Sequence, residues 1–242
     1  MEAIILAGGY GTRLYPLTKN TAKPLVEVSG TPIITRILHK VSDLDFDRVH
    51  VVTNDKFAEQ LSEWAENVDT SHDVHVYNDG TKQNGERLGT LGDIQFVVEE
   101  ADIEDDVFVI GGDNLFEFDL EDLVEFYEEK SCSVIAAKDL ESKEKVADSF
   151  GVVETSGDEI TGFEEKPSEP KSTLASTLLY VLSTADLERL SAYIDEGHPA
   201  DDAGNFIAYL VEHSDVAAYT FTDHWFDIGT KERLDEAEQY YD

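Results

Sequence analysis

Apolar residues form two alternating patterns through the first half of the chain. Short continuous apolar runs, typical of strands buried on both faces, alternate with segments whose apolar residues recur three or four positions apart, as on a helix face. The predicted strands are residues 2–7, 48–53, 74–77 and 107–110. The predicted helices are residues 32–41, 54–67 and 91–100, with Thr31 and Asn54 as expected N-caps. This alternation predicts a mostly parallel sheet with helices on both faces.

The second half has a different order of elements. Strand patterns at residues 151–154 and 160–164 flank Ser156-Gly157-Asp158, a hairpin signal. Further strands are predicted at residues 174–182, 216–221 and 225–228, and helices at residues 185–195 and from residue 231. The sheet is therefore expected to be mixed, with antiparallel strands added late. The 242 residues suit one α/β domain over 1–242, since no linker, low-complexity tract or internal repeat divides them.

The richest chemical signal is the stretch IILAGGYGTRLYPLTKNTAKP at residues 4–24. A buried strand leads into glycines, which let the backbone approach a phosphate chain, and into two cations that can neutralise it. A glycine pair alone also fits an ordinary strand-to-loop junction. What favours phosphate binding is the ordered addition of Thr12, Arg13, Pro16, Lys23 and Pro24.

Two common phosphate loops do not fit this stretch. A dinucleotide fingerprint needs G-x-G-x-x-G, but Leu14 occupies the place of the third glycine, which allows close helix packing. A Walker loop needs Gly-Lys-Ser/Thr, and no such triplet follows Gly8. The loop is therefore a phosphate loop of another kind.

Residues 6–24 resemble the sugar-phosphate nucleotidyltransferase family, whose members open with a strand, a G-x-G-T-R-L-x-P-L-T run and a Lys-Pro. The resemblance covers nearly the whole chain. It implies a Rossmann-like three-layer α/β fold and transfer of a nucleoside monophosphate from dTTP or UTP to glucose 1-phosphate, with release of pyrophosphate. It implies Arg13 and Lys23 as catalytic residues. The implied nucleotide-binding residues are Leu6, Ala7, Gly8, Gly9, Gly11, Thr12 and Arg13.

Two aspartates follow predicted strands, where ligands of α/β sheets gather. Asp113 ends the run VFVIGGD and Asp227 lies in WFDIGT. Each also suits a turn or a helix cap, although Thr230 is the better cap for the last helix. Two carboxylates that meet at phosphates suit Mg²⁺, and the resemblance implies Asp113 and Asp227 as its ligands.

The Glu164-Glu165-Lys166-Pro167 run by itself fits a solvated turn. The resemblance implies that Lys166 binds the sugar phosphate, that Glu165 binds sugar hydroxyls and that Gly151 lies beside the sugar. Two places depart from the family pattern. Leu88-Gly89 replaces the usual Gly-Leu of the base-recognition loop, which leaves Leu88 and Gly89 as weak base-site candidates, and Leu178 replaces a glycine near the sugar. Neither the base nor the sugar is fixed by the sequence.

Charge and composition exclude several classes of partner. With 18 basic and 53 acidic residues, a net charge of −35 and no basic patch, the chain should not bind nucleic acid. No apolar run approaches the roughly 20 residues that span a bilayer. The N-terminus has no basic signal region, and the single cysteine cannot form an internal disulfide, so a cytoplasmic protein without a membrane partner is expected. A homo-oligomer is compatible with the sequence, which does not fix the oligomeric state.

Two rival functions are to be weighed against this one. A non-catalytic nucleotide-sugar sensor could keep the fold, but it would have little reason to keep Arg13, Lys23, Asp113 and Asp227 together. A nicotinamide dehydrogenase is disfavoured, because the dinucleotide fingerprint fails at Leu14.

The spread of acidic residues over the whole chain predicts adaptation to a salt-rich cytoplasm. Like charges repel and weaken the compact state in dilute buffer, whereas at molar salt the Debye length falls to about 3 Å. We expect the melting temperature to rise from low salt to molar KCl in a thermal unfolding series. The competing interpretation is an acidic docking surface for a basic partner, and greater stability at low salt would rule out the salt adaptation.

Overall fold

A computed structural model describes residues 1–46 and 48–242. The strands are β1 Glu2–Leu6, β2 Glu27–Val28, β3 Thr31–Pro32, β4 Val49–Thr53, β5 Val74–Asn78, β6 Val107–Gly111, β7 Asn114–Phe116, β8 Ser133–Asp139, β9 Val152–Ser156, β10 Glu159–Glu164, β11 Leu174–Leu182, β12 Val216–Phe221 and β13 Trp225–Asp227. The helices are α1 Ile33–Val41, α2 Ala58–Asn67, α3 Gly89–Glu100, α4 Leu120–Lys130, α5 Lys143–Val146, α6 Thr184–Asp195, α7 Ala203–His213 and α8 Lys231–Tyr241. None of the helices in the described ranges is long and apolar enough to cross a membrane.

In the described part of the chain, nine strands form one mixed sheet in the order β5-β4-β1-β6-β11-β8-β12-β10-β9. The pairs among β5, β4, β1 and β6 are parallel. Strand β11 runs antiparallel to both β6 and β8, while β12 is parallel to β8. The hairpin β9–β10 closes the far edge. The expected α/β class, with a mixed sheet and late antiparallel strands, is confirmed.

Alternate residues of the central strands feed two apolar layers. In β1, Ala3 and Ile5 join one cluster, to which α1, α2, α4 and α8 contribute, whereas Ile4 joins the other. Helices α3, α6 and α7 cover that second face. Because side chains alternate across a strand, a strand with no polar position inside it must be covered on both faces. This is the three-layer arrangement.

Two predicted helix caps are wrong. Thr31 and Pro32 form β3, which pairs with β2, so α1 begins only at Ile33. Asn54 does not cap α2, which begins at Ala58. Its side chain instead accepts a hydrogen bond from the Lys56 amide and donates one to the carbonyl of Gly8. A turn closed by the bond between the Lys56 amide and the Asn54 side chain replaces the first turn of the predicted helix.

Helix α7 was not predicted, although Phe206, Ile207 and Leu210 have helical spacing and are buried. The antiparallel pairing of the short strands β7 and β13, about 110 residues apart in sequence, was not predicted either. Both features shape the candidate site.

Candidate active site

The Gly-rich loop follows the carboxyl end of β1, and hydrogen bonds with β4 and with Asn54 hold the start of the loop in place. The Ala7 amide donates to the Val52 carbonyl at 2.8 Å, and Asn54 Nδ2 donates to the Gly8 carbonyl at 2.9 Å. Gly11 has φ +59°, and its carbonyl accepts a 2.6 Å bond from the Thr18 hydroxyl. A side chain at Gly11 would also crowd Thr18, with 3.0 Å between the two Cβ atoms. The loop therefore needs its glycine at this position.

Arg13 and Lys23 lie close to the two predicted metal-binding aspartates. Lys23 is 9% exposed and forms an ion pair with Asp113. The guanidinium of Arg13 packs over Gly229, where a Cβ would lie 3.1 Å from its Nη2. Sequence reasoning placed these four charged groups near one another, and the structure brings them together.

The β7–β13 ribbon is what joins the two aspartates. Asn114 pairs with Asp227, and the Ile228 amide donates to the Asp113 carbonyl at 2.9 Å. Trp225 Nε1 donates to Asn114 Oδ1 at 2.7 Å and links the two strands of the ribbon a second time. Burial and the adjacent charge of Asp113 both raise the pKa of Asp227, while Lys23, Arg13 and Arg233 oppose the rise. Two carboxylates side by side are a centre that favours binding of further positive charge.

Among the described residues, no group of three or more His, Cys, Asp or Glu side chains is arranged to hold a metal ion. The pair Asp113 and Asp227 nevertheless fits Mg²⁺, which in proteins is usually bound by one or two carboxylates together with substrate phosphates and water. Burial and the charge of Asp113 raise the pKa of Asp227, so a divalent cation bound by both carboxylates would favour their ionised forms.

A cavity of about 340 Å³ opens above the Gly-rich loop. Its lining includes Arg13, Lys23 and Asp113 beside Asp227, and also Asn84, Arg87 and Asp93, of which Arg87 acts electrostatically on Asp93. The predicted nucleotide-binding residues of the loop all line it, namely Leu6, Ala7, Gly8, Gly9, Gly11, Thr12 and Arg13.

Leu88 and Gly89, the weak base-site candidates, line neither this cavity nor the next one. The Leu88 side chain is 37% exposed. Gly89 has φ +84° and lies against the backbone of Ala200, where a side chain would be 2.5 Å from the carbonyl oxygen. Gly89 thus lets the start of α3 pack against the segment before α7.

A second cavity of about 440 Å³ contains the predicted sugar-phosphate residues Gly151, Glu165 and Lys166. The Glu165 carboxylate fills the space left by two glycines, because a side chain at either Gly151 or Gly204 would collide with it or with the Phe163 ring. Lys166 forms ion pairs with Glu165 at 2.8 Å and with Asp202 at 3.1 Å. Burial lowers the pKa of Lys166, but its bonds to Glu165 and Asp202 outweigh burial, and the net shift is upward.

The two cavities meet along a common rim formed by Arg13, Thr90, Asp113, Leu178 and Asp202. Leu178 has φ +55°, a left-handed conformation that favours glycine, at the irregularity in β11 between Ser176 and Tyr180. A strained residue of this kind often marks a functional site. A ligand made of two parts joined through phosphate fits this double cavity.

Sequence reasoning missed Asp202 and Thr90. Asp202 precedes the unpredicted helix α7, so its approach to Lys166 depends on a long-range contact. Thr90 directly precedes the helix that was predicted from Leu91. Residues three and four apart on a helix share a face, so the helical spacing could have indicated that Thr90 lies on the same face as Asp93 and Ile94.

Comparisons with known proteins identify the family of the chain and relate its fold to solved structures. Residues 2–242 match the family model described as nucleotidyl transferase. The fold is similar to that of a glucose-1-phosphate thymidylyltransferase of Bacillus anthracis in complex with sucrose, with a TM-score of 0.80, 24% identity and coverage of 99% of this chain and 94% of that one. It is also similar to a UDP-glucose pyrophosphorylase complexed with UDP-glucose, with a TM-score of 0.83, 21% identity and coverage of 99% and 97%. A UDP-glucose pyrophosphorylase of Acinetobacter baumannii gives a TM-score of 0.80, 20% identity and coverage of 99% and 92%.

The glycine that makes room for Glu165 provides a test of the second cavity. In Gly151→Ala the new methyl would overlap the Phe163 ring and lie 3.1 Å from Glu165 Oε2. We expect a loss of about 1–3 kcal/mol in the free energy of unfolding, as for other overpacked sites, measured by urea denaturation. The matched control is Gly85→Ala, where a Cβ meets nothing within 4 Å. Equal stability of the two variants would contradict the proposed packing.

Proposed function

Since the chain belongs to the nucleotidyl transferase family, we propose that it transfers a nucleoside monophosphate from dTTP or UTP to glucose 1-phosphate, forming a nucleotide-sugar and pyrophosphate. The observation that carries the proposal is the rim shared by the two cavities, where Arg13 and Asp113 face both. A nucleotide in the first cavity and a sugar phosphate in the second would bring their phosphates together at this rim.

The reaction balances as an in-line displacement at the α-phosphorus. An oxygen of the sugar 1-phosphate forms a bond to that phosphorus, and the bond from the phosphorus to the bridging oxygen of pyrophosphate breaks. A phosphate monoester has its second pKa near 6, so the attacking oxygen is already ionised at neutral pH. No general base is required, and the task of the site is to position anions that repel one another.

The residues of the chain suit that task. Lys23 and Arg13 lie where the α-phosphate and the departing pyrophosphate would be held, together with the amides of the Gly-rich loop. Lys166 would bind the sugar phosphate, and Glu165 the sugar hydroxyls, from the opposite side of the rim. Asp113 and Asp227 would hold Mg²⁺, which when bound neutralises phosphate charge.

Lys166 is already paired with Glu165 and Asp202 before a ligand arrives. These carboxylates keep the ammonium charged and aim it at the cavity. An incoming phosphate would compete with Asp202 for the same ammonium group. Asp202 therefore acts as a positioning residue in the proposed reaction.

A non-catalytic nucleotide-sugar sensor of the same fold is the alternative. Binding alone does not need a buried lysine beside two carboxylates, because a buried ion pair costs desolvation energy that apolar packing would avoid. The Lys23–Asp113 pair and the adjacent Asp227 are better explained by a reaction in which phosphate charge moves.

Pyrophosphate release tests the proposed function. The chain is assayed in molar KCl and Mg²⁺ with each of dTTP, UTP, GTP, ATP and CTP against a panel of sugar 1-phosphates. We expect turnover with dTTP or UTP together with glucose 1-phosphate, and none when the sugar phosphate is omitted. Nucleotide-sugar binding without any pyrophosphate release would support the sensor instead.

The metal-binding aspartate gives a sharper prediction in the same assay. Asp113→Asn removes the charge that pairs with Lys23 and would hold Mg²⁺, and we expect turnover to fall by about 100-fold. Asn keeps an oxygen for the 3.0 Å bond from Asn114 Nδ2, and Asp227 remains close to Lys23, so the fold should persist with a lower free energy of unfolding, which urea denaturation measures alongside turnover. Asp235→Asn, an equal charge change at an exposed position of α8, is the control. Near-normal turnover of Asp113→Asn would reject the metal assignment.

A further inference from the structure

Asp93 is a buried carboxyl that the proposed reaction does not use. It lies on α3 and is 8% exposed, yet its Oδ1 is buried without a hydrogen-bond partner among the described residues. Among the described residues, no basic side chain lies within ion-pair distance of this carboxyl. Buried carboxyl groups are nearly always paired, because burial without a partner costs several kcal/mol. A buried polar group left without a partner in a folded protein calls for an explanation, and a functional role is one of the usual ones.

The carboxyl lies directly against the Gly-rich loop. A Cβ built on Gly8 would lie 2.5 Å from Asp93 Oδ2, so only glycine leaves this oxygen room. Asp93 also lines the first cavity. The glycine at position 8 thus has a second role besides the approach of phosphate, which is to open the carboxyl towards the bound nucleotide.

Asp93 has charged neighbours other than those of Asp227. The charged groups that act on it are Asp79, in the loop after β5, and Arg87, which in turn pairs with Asp201 at 3.8 Å. Lys23, Arg13 and Asp113 instead act on Asp227. If the triphosphate lies beside these cations, the base of the nucleotide lies beside Asp93 and Asn84 in the same cavity.

We propose that Asp93 binds the base of the nucleotide as a neutral carboxyl, donating the O–H of its Oδ2 to a carbonyl oxygen of uracil or thymine. This inference rests on the proposed function and adds to it the group that reads the base. The carbonyl oxygens of uracil and thymine are hydrogen-bond acceptors, and only the neutral carboxyl offers them an O–H donor. The ionised carboxylate has only hydrogen-bond acceptors, and its negative charge would face the partial negative charge of the base carbonyl oxygen.

The surroundings of Asp93 favour the neutral form. Burial, with a further contribution from Asp79, raises the pKa of Asp93 to about 7, while Arg87 acts in the opposite direction. The binding-competent, protonated fraction is therefore largely present below pH 7 and is lost as the pH rises above it. For a ligand that binds only the neutral form, the affinity is reduced by the fraction of chains in that form.

UDP-glucose and dTDP-glucose are the probes, because their diphosphate does not titrate near neutral pH. Their dissociation constants are measured by calorimetry in molar KCl between pH 6 and pH 8. We expect affinity to fall about tenfold over this range for the wild-type chain, from the change in the protonated fraction. Asp93→Asn, whose amide presents the same donor and acceptor, should bind with an affinity that does not change with pH.

Asp93→Ala and a control separate base binding from a structural role. Asp93→Ala should weaken both probes at pH 6 by about tenfold, the usual effect of lost hydrogen bonds. It should melt no lower than wild type, because it removes an unpaired buried carboxyl. Glu100→Gln, an exposed carboxylate on the same helix, should keep the wild-type pH trend.

Three results would overturn the assignment. Affinity of the wild type that rises with pH would indicate an ionised carboxylate that accepts two N–H groups, as from guanine, and GDP-glucose is included for that reason. If Asp93→Asn bound the probes as weakly as Asp93→Ala does, the amide would not be able to replace the carboxyl. Unchanged affinity in Asp93→Ala, with wild-type pyrophosphate release intact, would refute this inference alone, whereas no probe binding and no pyrophosphate release by wild type would refute the proposed function with it.

Discussion

The ion pair between Lys23 and Asp113 is the contact on which the site depends. Lys23 is almost fully buried, and a buried ammonium without a partner would be strongly destabilising. Asp113 supplies that partner, and Lys23 in turn offsets part of the repulsion between Asp113 and Asp227. The pair therefore holds one cation and two anions at the carboxyl edge of β1 and β6, where the sheet opens towards a ligand.

The same arrangement recurs on the other side of the rim, where Lys166 is held by Glu165 and Asp202. In a chain with 18 basic and 53 acidic residues, the cations of the proposed phosphate site must be kept in place against many competing carboxylates. Pairing each lysine with a nearby carboxylate satisfies that constraint. Arg13 is positioned differently, by packing over Gly229.

Much of the fold could be predicted from local sequence patterns. The features that could not be predicted share one physical cause. The hairpin at Ser156-Gly157-Asp158 and the strand 174–182 were predictable because their signals lie within a few residues. The pairing of β7 with β13, and the place of Asp202, depend on contacts between distant parts of the chain. Asp93 shows the same limit within one helix: the spacing marks α3 as amphipathic, but only the fold shows that this carboxyl lies under Gly8 and not in solvent.

The most direct test of this account is a crystal structure of the chain grown in high salt with Mg²⁺ and UDP-glucose. We expect the diphosphate at the rim shared by the two cavities, next to Arg13 and Lys23, with the glucose beside Glu165 and the base beside Asp93. A nucleotide-sugar bound outside these cavities, or one bound with its diphosphate away from Arg13 and Lys23, would contradict it.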